Sequence, residues 1–189
     1  MKYHANSSET DLVKGCVKGH NLAQKYLYQK FHGKMLNVCM RYSSDREEAV
    51  EMLNAGFLKV FTSIGKFEHK GSLEGWIRRI MMNTAIDHIR KYQTYNKTMV
   101  NNSYHEASVD NEALDHLLGE DIYKVIQKLP PTSRTVFCLY LIDGYTHKDI
   151  AEQLGISVGT SKWHLSEAKK RFRELASQFD FVKDWAKVG

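Results

Sequence analysis

The sequence predicts an all-α fold of two small helical domains, an N-terminal helical bundle and a C-terminal helix-turn-helix domain, joined by a polar linker. Three observations lead to this prediction. Apolar residues recur at helical spacing along most of the chain. The 189 residues include only two prolines, and a stretch beginning at Thr94 loses the periodicity and is rich in Asn, Ser and Thr. We expect domains over residues 8–93 and 119–178, a flexible linker over 94–118 and a tail over 179–189.

The composition indicates a reduced, soluble protein. The formal net charge of +5 suits a nucleic-acid partner without requiring one. Cys16, Cys39 and Cys138 are widely spaced among apolar neighbours, so we expect buried thiols. The nine histidines show no metal-ligand spacing, and we predict neither a metal nor a cofactor. No apolar run reaches membrane-spanning length, so we expect a cytoplasmic protein without direct membrane insertion.

The first half of the chain carries the signals of four helices. Ser8, with Asp11 three residues later, can start the first, and Gly19-His20-Asn21 breaks the chain before the second. Ser43-Ser44-Asp45 supplies the cap of the third, and Ser72 caps the fourth, which we expect to end near Tyr92. The apolar faces of the first three comprise Leu12, Val13, Cys16, Val17, Leu22, Tyr26, Leu27, Phe31, Ala49, Met52, Leu53, Phe57 and Val60. The inner stripe of the fourth comprises Leu73, Trp76, Ile77, Ile80, Met81, Thr84 and His88.

A basic surface is predicted on the outer side of the fourth helix and in the loop that precedes it. Basic and amide side chains on one helix suit a nucleic-acid backbone and splayed bases. The alternative is an ordinary bundle helix with an Asp87–Arg90 ion pair. The residues of this surface are Lys66, Phe67, Lys70, Arg78, Arg79, Asn83, Asp87, Arg90 and Lys91.

Residues 146–157 carry the signals of a helix-turn-helix. Thr146 can cap a helix with Asp149 in its first turn. Gly155 can take the left-handed backbone that stops this helix. Ser157 is a second cap and opens a helix that runs at least to Arg173.

Two further helices are expected upstream of this motif. The first begins at Asp121 and is ended by Pro130, because a residue before proline is disfavoured in helical geometry. The second covers Arg134–Ile142, with Thr132 or Ser133 as its cap.

The helix that follows Ser157 has an apolar and a polar side, which is typical of a helix that reads the major groove. Small residues come first and permit close approach, and phosphate-binding Lys and Arg come later. An ordinary helical hairpin with a solvated face is the alternative. The inward residues are Val158, Ser161, Leu165, Ala168 and Phe172; the outward and flanking ones include Thr160, Lys162, Trp163, His164, Glu167, Lys170 and Arg171.

No catalytic constellation is visible. Asp87–His88 and His147–Asp149 lie on predicted helices, and spacing assigns them no nucleophile or second carboxylate. We therefore predict that the chain is not an enzyme.

From about Leu12 to Leu175 the sequence resembles an extracytoplasmic-function (ECF) sigma factor, a minimal specificity subunit of bacterial RNA polymerase. GHNLAQKYLYQKF resembles the family's entry helices, and EEAVEMLNAGFLKVF its polymerase-gripping helix. F-x3-GSLEGWIRRIMMNTAIDHIRK resembles the −10 segment of sigma region 2. LPPTSRTVFCLYLIDGYTHKDIAEQLGISVGTSKWHLSEAKKRF resembles the −35-reading domain of sigma region 4.

The resemblance implies three partners: core RNA polymerase, promoter DNA and an anti-sigma factor. The implied polymerase contacts are Glu48, Glu51, Asn54 and Phe57. The implied −10 contacts are Lys66, Phe67, Lys70, Trp76, Arg79, Asn83 and Arg90. The implied −35 contacts are Ser157, Thr160, Lys162, Trp163, His164, Glu167, Lys170 and Arg171.

Three departures from the family pattern limit what can be transferred. Asn54-Ala55 stands where Gln-Glu is common, His164 and Glu167 stand where the family often has arginines, and Trp163 replaces a small residue. The −35 sequence is therefore not transferred; we expect Trp163 to pack on a thymine methyl and Glu167 to accept from a cytosine amino group.

Two other classes of protein fit the sequence less well. A response-regulator type of helix-turn-helix regulator would place an α/β receiver first, whereas this N-terminal half is predicted to be helical. An interaction protein such as an anti-sigma factor or adaptor fits poorly with two basic faces.

Overall fold

The computed structural model describes residues 3–98 and 120–177, with side chains described for residues 3–91 and 122–177. All regular elements in these ranges are helices, which confirms the all-α prediction. The chain divides into two compact units, residues 1–103 and 104–189. This division falls within the predicted linker, whereas the exact domain boundaries stay a prediction.

The first unit is a bundle of four α-helices. They are α1 (Glu9–Val17), α2 (Asn21–Met40), α3 (Arg46–Ser63) and α4 (Leu73–Thr98), with a short 3-10 helix, Ile64–Lys66, after α3. The second unit contains α5 (Glu120–Gln127), α6 (Pro131–Phe137), a π-helical turn (Cys138–Ile142), α7 (His147–Leu154) and α8 (Val158–Ala176).

Side-chain caps start α1 and α3 of the first unit within the stretches that the sequence predicts. The Ser8 hydroxyl accepts from the Asp11 N–H at 3.1 Å. The Asp45 carboxylate accepts from the Glu48 N–H at 2.8 Å. Each cap satisfies a first-turn amide that has no partner within its own helix. Gly19, between α1 and α2, has a φ of +73°, which glycine adopts without strain.

The core of the first unit lies where α2, α3 and α4 meet. Its fully buried side chains include Leu27, Met35, Met52, Leu53, Ile77 and Met81. Two predicted core residues are wrong, since Val17 is 57% exposed and Leu22 is 51% exposed. Both flank the turn between α1 and α2, where the helix ends extend past the buried faces.

Helix α4 is longer than predicted. It continues to Thr98 instead of ending near Tyr92, so residues 94–98 of the predicted linker are helical. The polar composition of this stretch favours a linker. However, an existing helix gains one backbone hydrogen bond with each added residue, so extending it is easier than starting a new one. The rest of the predicted linker and the aromatic tail lie outside the described residues.

The start of α6 differs from the prediction. Thr132 and Ser133 are not caps, because α6 begins at Pro131 with Pro130 in the cap position and no side-chain cap. Proline suits the first helical position, since its φ is already helical and the amide it lacks would have had no partner there. The predicted helix Arg134–Ile142 is therefore α6 plus the π-helical turn, which ends before Gly144 with its φ of +74°.

All three cysteines are buried, as predicted. Burial raises the pKa of Cys16 to about 11. Burial raises the pKa of Cys39 to about 12, with Arg41 opposing the shift. These two groups are therefore thiols at neutral pH and pack as small apolar side chains.

The described residues lack two further features. No helix there has the length and apolar character needed to cross a membrane. Within the same residues, no group of three or more His, Cys, Asp or Glu side chains could hold a metal ion.

Candidate nucleic-acid interface

The turn between α7 and α8 has the geometry predicted from its sequence. The Thr146 hydroxyl accepts from the Asp149 N–H at 3.2 Å, and the Asp149 carboxylate accepts from the Thr146 N–H at 3.1 Å. The Thr146 hydroxyl also donates to the Asp149 carboxylate at 2.6 Å. This bond, followed by the one from the Thr146 N–H, holds the pKa of Asp149 below its usual value. Gly155 ends α7 with a φ of +64°. The Ser157 hydroxyl then accepts from the Thr160 N–H at 2.9 Å and starts α8.

Helix α8 packs on α6 and α7 through the stripe predicted to face inward. Ser161, Leu165, Ala168 and Phe172 are all buried. The Phe172 ring stacks on Phe137 of α6 with centroids 5.2 Å apart. Val158, predicted to be inward, is 41% exposed, because the buried stripe begins one turn later at Ser161.

The opposite side of α8 is open to solvent. Trp163 is 60% exposed, and its ring meets that of His164 edge-on, with centroids 4.9 Å apart. Glu167 and His164 are half-buried. The Ser157 hydroxyl is engaged as the cap. The remaining predicted −35 residues are exposed, namely Thr160, Lys162, Lys170 and Arg171.

Two histidine–serine pairs, which the sequence analysis missed, tie α8 to its neighbours. His147 Nδ1 lies 2.9 Å from the Ser161 hydroxyl, joining α7 to α8. His164 Nδ1 lies 2.9 Å from the Ser133 hydroxyl, joining α6 to α8. Both serines are buried, at 0% and 3% exposed. One ring nitrogen of His164 is therefore used inside the domain, which leaves Nε2 for any DNA contact.

Both imidazoles have depressed pKa values. Burial lowers the pKa of His147, and the charge of Lys162 lowers it further. Burial also lowers the pKa of His164. Each group thus favours its neutral form in the folded protein.

This shift predicts a loss of stability of the second unit at acid pH. Above the ordinary imidazole pKa of 6.5, both histidines are neutral in either state and their contribution is complete. As the pH falls below 6.5, the unfolded chain binds protons before the folded chain does, so the contribution is lost as the pH falls through the lowered pKa values. Urea unfolding between about pH 8 and about pH 5.5 measures this loss.

The matched control is the double variant His147→Asn, His164→Asn. Asparagine keeps a polar side chain near each serine but does not titrate. We expect the variant to lose less stability than the wild type over the same pH range. Equal losses would show that other groups cause the pH dependence.

The outer row of α4 is exposed as predicted. Arg79, Asn83, Asp87 and Arg90 are all open to solvent, and so are Lys66 and Lys70 in the preceding segment. Phe67 and Trp76 are half-buried and face each other, with ring centroids 5.6 Å apart. The structure therefore places basic and amide groups along one exposed side of α4 and an aromatic pair near the start of that helix.

An ion pair connects this surface to α3. The Asp87 carboxylate accepts a hydrogen bond from Lys59 Nζ at 2.9 Å. Both side chains are about half exposed, so the pair contributes less than about 1 kcal/mol to folding. Its clearer effect is to hold the negative charge of Asp87 in place beside the cationic residues of α4.

The predicted polymerase-binding residues on α3 differ in their accessibility. Glu51 and Asn54 are exposed. Glu48 is partly engaged, since its carboxylate accepts from the Ser44 N–H and lies 3.2 Å from His88 Nδ1 of α4. Phe57 is only 2% exposed and packs on Tyr28, with ring centroids 4.5 Å apart. The predicted direct contact through Phe57 is contradicted by this burial; the ring supports α3 from inside.

Comparison with known proteins places both units in one class. Residues 27–95 match the family model for sigma-70 region 2, and residues 119–172 match the model for sigma-70, region 4. This pair of matches, in this order, defines the class as sigma-70-type RNA polymerase sigma factors. An N-terminal receiver domain of the response-regulator type is not supported.

The similar full-length proteins narrow the class. The chain is 27% identical over 174 residues to the ECF RNA polymerase sigma factor SigW of Bacillus subtilis, covering 86% of this chain and 93% of that protein. It is 26% identical over 174 residues to the RNA polymerase sigma-H factor of Pseudomonas aeruginosa, covering 86% and 90%. The chain belongs to the extracytoplasmic-function subfamily of sigma-70 factors.

A solved structure has the same fold. It is the sigma factor RpoE of Bartonella quintana in complex with the anti-sigma factor NepR, with a TM-score of 0.54 and 20% identity. The match covers 82% of this chain and 97% of that one.

Proposed function

We propose that this chain directs core RNA polymerase to specific promoters, with the second unit reading the −35 element and the first unit melting and reading the −10 element. One observation carries the proposal: region 2 and region 4 occur in one chain, and each presents exposed basic residues beside aromatic side chains, half-buried in the first unit and exposed in the second. A single helix-turn-helix regulator would need only the second of these surfaces.

The −35 element is read by α8 in the major groove. Thr160 and Trp163 lie on the exposed side near the start of the helix, where a recognition helix approaches base edges. Lys170 and Arg171 come two turns later and contact phosphates, which position the helix without reading sequence. The other proposed −35 residues are Ser157, Lys162, His164 and Glu167.

The −10 element is opened and read by α4 and the segment before it. Arg79 and Arg90 neutralise the backbone, Asn83 offers an amide to base edges, and Phe67 with Trp76 offers a stacking surface. Captured bases offset part of the cost of unstacking, which is a few kcal/mol. Lys66 and Lys70 add charge on the approach to this surface.

Core polymerase is bound by the exposed side of α3. Glu51 and Asn54 are the accessible residues of the predicted set, and Glu48 adds charge at the start of the helix. Phe57 acts indirectly, because it fixes the helix against Tyr28 of α2.

An anti-sigma factor is the third proposed partner. The structural relative from Bartonella quintana was crystallised with one. The basic surfaces of both units suit an acidic inhibitor that covers them until transcription is required. We assign no catalytic step to this chain and place it in the cytoplasm, at the nucleoid when bound to polymerase.

In vitro transcription with purified core RNA polymerase on a promoter library tests this proposal. We expect the protein to create new start sites that share two upstream motifs. The double variant Lys170→Glu, Arg171→Glu should lose these starts, because it reverses charge at two proposed phosphate contacts. The matched control Lys14→Glu, Lys18→Glu reverses two exposed charges on and beside α1 and should retain them. No new starts, together with duplex binding by the protein alone, would reject the proposal.

A further inference from the structure

Three aromatic rings meet at the loop between α3 and α4. The Phe67 ring lies 5.6 Å from the Trp76 ring and 4.7 Å from the His69 ring, centroid to centroid. Both contacts are tilted, at 50° and 56°. The Phe67 backbone is held by its N–H, which donates to the Ile64 carbonyl at 3.1 Å. The ring itself is positioned by its contacts with Trp76 and His69, at the edge of the proposed −10 surface.

His69 reaches Phe67 through an unusual backbone conformation. Its φ is +56°, and it is the one non-glycine residue with positive φ among the described residues. L-residues avoid this region, although histidine tolerates it better than bulky or branched residues do. The side chain is exposed, and no hydrophobic core holds it in place. The conformation thus brings an exposed ring onto a neighbour two residues earlier in the loop.

The position of His69 conflicts with base stacking on Phe67. A nucleobase stacks on an aromatic side chain by lying flat on its face. A tilted imidazole centred 4.7 Å away occupies part of the space around that ring. A base that uses Phe67 must therefore displace the imidazole or accept a smaller overlap.

We propose that His69 covers Phe67 in the free protein and that a flipped promoter base displaces it, so that His69 sets the threshold for base capture. This inference rests on the proposed −10 function. In the covered state His69 shields part of Phe67 from water and from nonspecific single-stranded nucleic acid. A base that fits the site replaces the His69–Phe67 contact with a base–Phe67 contact. Its remaining contacts with the protein then contribute net binding free energy. His69 thus acts through Phe67: it controls which flipped bases can reach that ring.

The substitution His69→Asn tests the proposal. Asparagine also tolerates a left-handed backbone but has no aromatic ring to place on Phe67. The probe is a fork-junction DNA carrying a promoter found in the transcription assay, with a single-stranded −10 segment and 2-aminopurine at the captured position. We expect holoenzyme containing His69→Asn to bind this DNA about two- to tenfold more tightly, because one aromatic pair no longer competes.

Two controls separate the possible results. His69→Gly also removes the ring while it accepts the positive φ without strain, so it should bind the fork as tightly as His69→Asn. A fully duplex −35 fragment should bind all three holoenzymes equally, which a general change in stability would not produce. Unchanged or weaker fork binding by His69→Asn would overturn the proposal that His69 covers Phe67. Failure of the wild-type holoenzyme to bind the fork at all would overturn the −10 function itself.

Discussion

Replacement of Trp163 by alanine is expected to weaken binding of the holoenzyme to its −35 duplex by about ten- to fiftyfold. A fully covered aromatic side chain buries about 150–250 Å². Trp163 is 60% exposed, which leaves on the order of 100 Å² for a DNA contact. At about 25 cal/mol per Å² this area is worth at most about 2.5 kcal/mol. The fold should be unaffected, since the indole packs on no core residue through its exposed part.

Competition binding with −35 duplexes measures this effect. The expected thymine methyl contact predicts that Trp163→Ala loses discrimination between thymine and uracil at one position, because uracil lacks that methyl group. Val17→Ala is the matched control, since it removes another exposed apolar side chain, 57% exposed, from the other unit. Equal affinity and equal discrimination in wild type and Trp163→Ala would remove the indole from the interface.

Replacement of Ile150 by alanine is expected to destabilise the second unit by about 2–5 kcal/mol. Ile150 is 0% exposed and lies on α7 beside α8. The loss combines the transfer free energy of the deleted methyl groups with the cavity they leave. Because small domains are only marginally stable, this change removes a large part of their free energy of unfolding.

The matched control is Val158→Ala on α8. The sequence pattern places Val158 in the core, whereas it is 41% exposed in the structure. We expect this variant to lose less than about 1 kcal/mol. Urea unfolding, with hydrogen exchange of the α7 and α8 amides to assign the transition to the second unit, measures both variants. Equal losses at the two positions would contradict the packing of α8.

Much of the candidate site was predictable because its signals are local. The caps of Thr146 and Ser157 and the left-handed turn at Gly155 each depend on residues within about four positions of one another. The exposed row of α4, from Arg79 to Arg90, follows from helical periodicity alone. The family models then match the two halves in which these signals lie.

The wrong burial predictions occur where burial depends on a neighbouring helix that the local sequence pattern does not describe. Val17, Leu22 and Val158 continue apolar stripes but lie at helix ends, where no facing helix covers them. Phe57 is a different case: periodicity placed it correctly on the apolar face of its helix, whereas the resemblance implied a polymerase contact, and Tyr28 of α2 packs against the buried ring. Periodicity assigns a residue to a side of its helix and does not report how far the neighbouring element extends.

The sequence by itself determined the helical class, the helix-turn-helix and the two basic faces, because caps, turns and periodicity act over a few residues. Only the tertiary structure decided the His147–Ser161 and His164–Ser133 pairs, which join residues 14 and 31 positions apart. It also decided the contact of His69 with Phe67, which depends on a backbone angle that histidine rarely adopts. Such contacts depend on how whole helices and loops are placed, and spacing along the chain does not encode that placement.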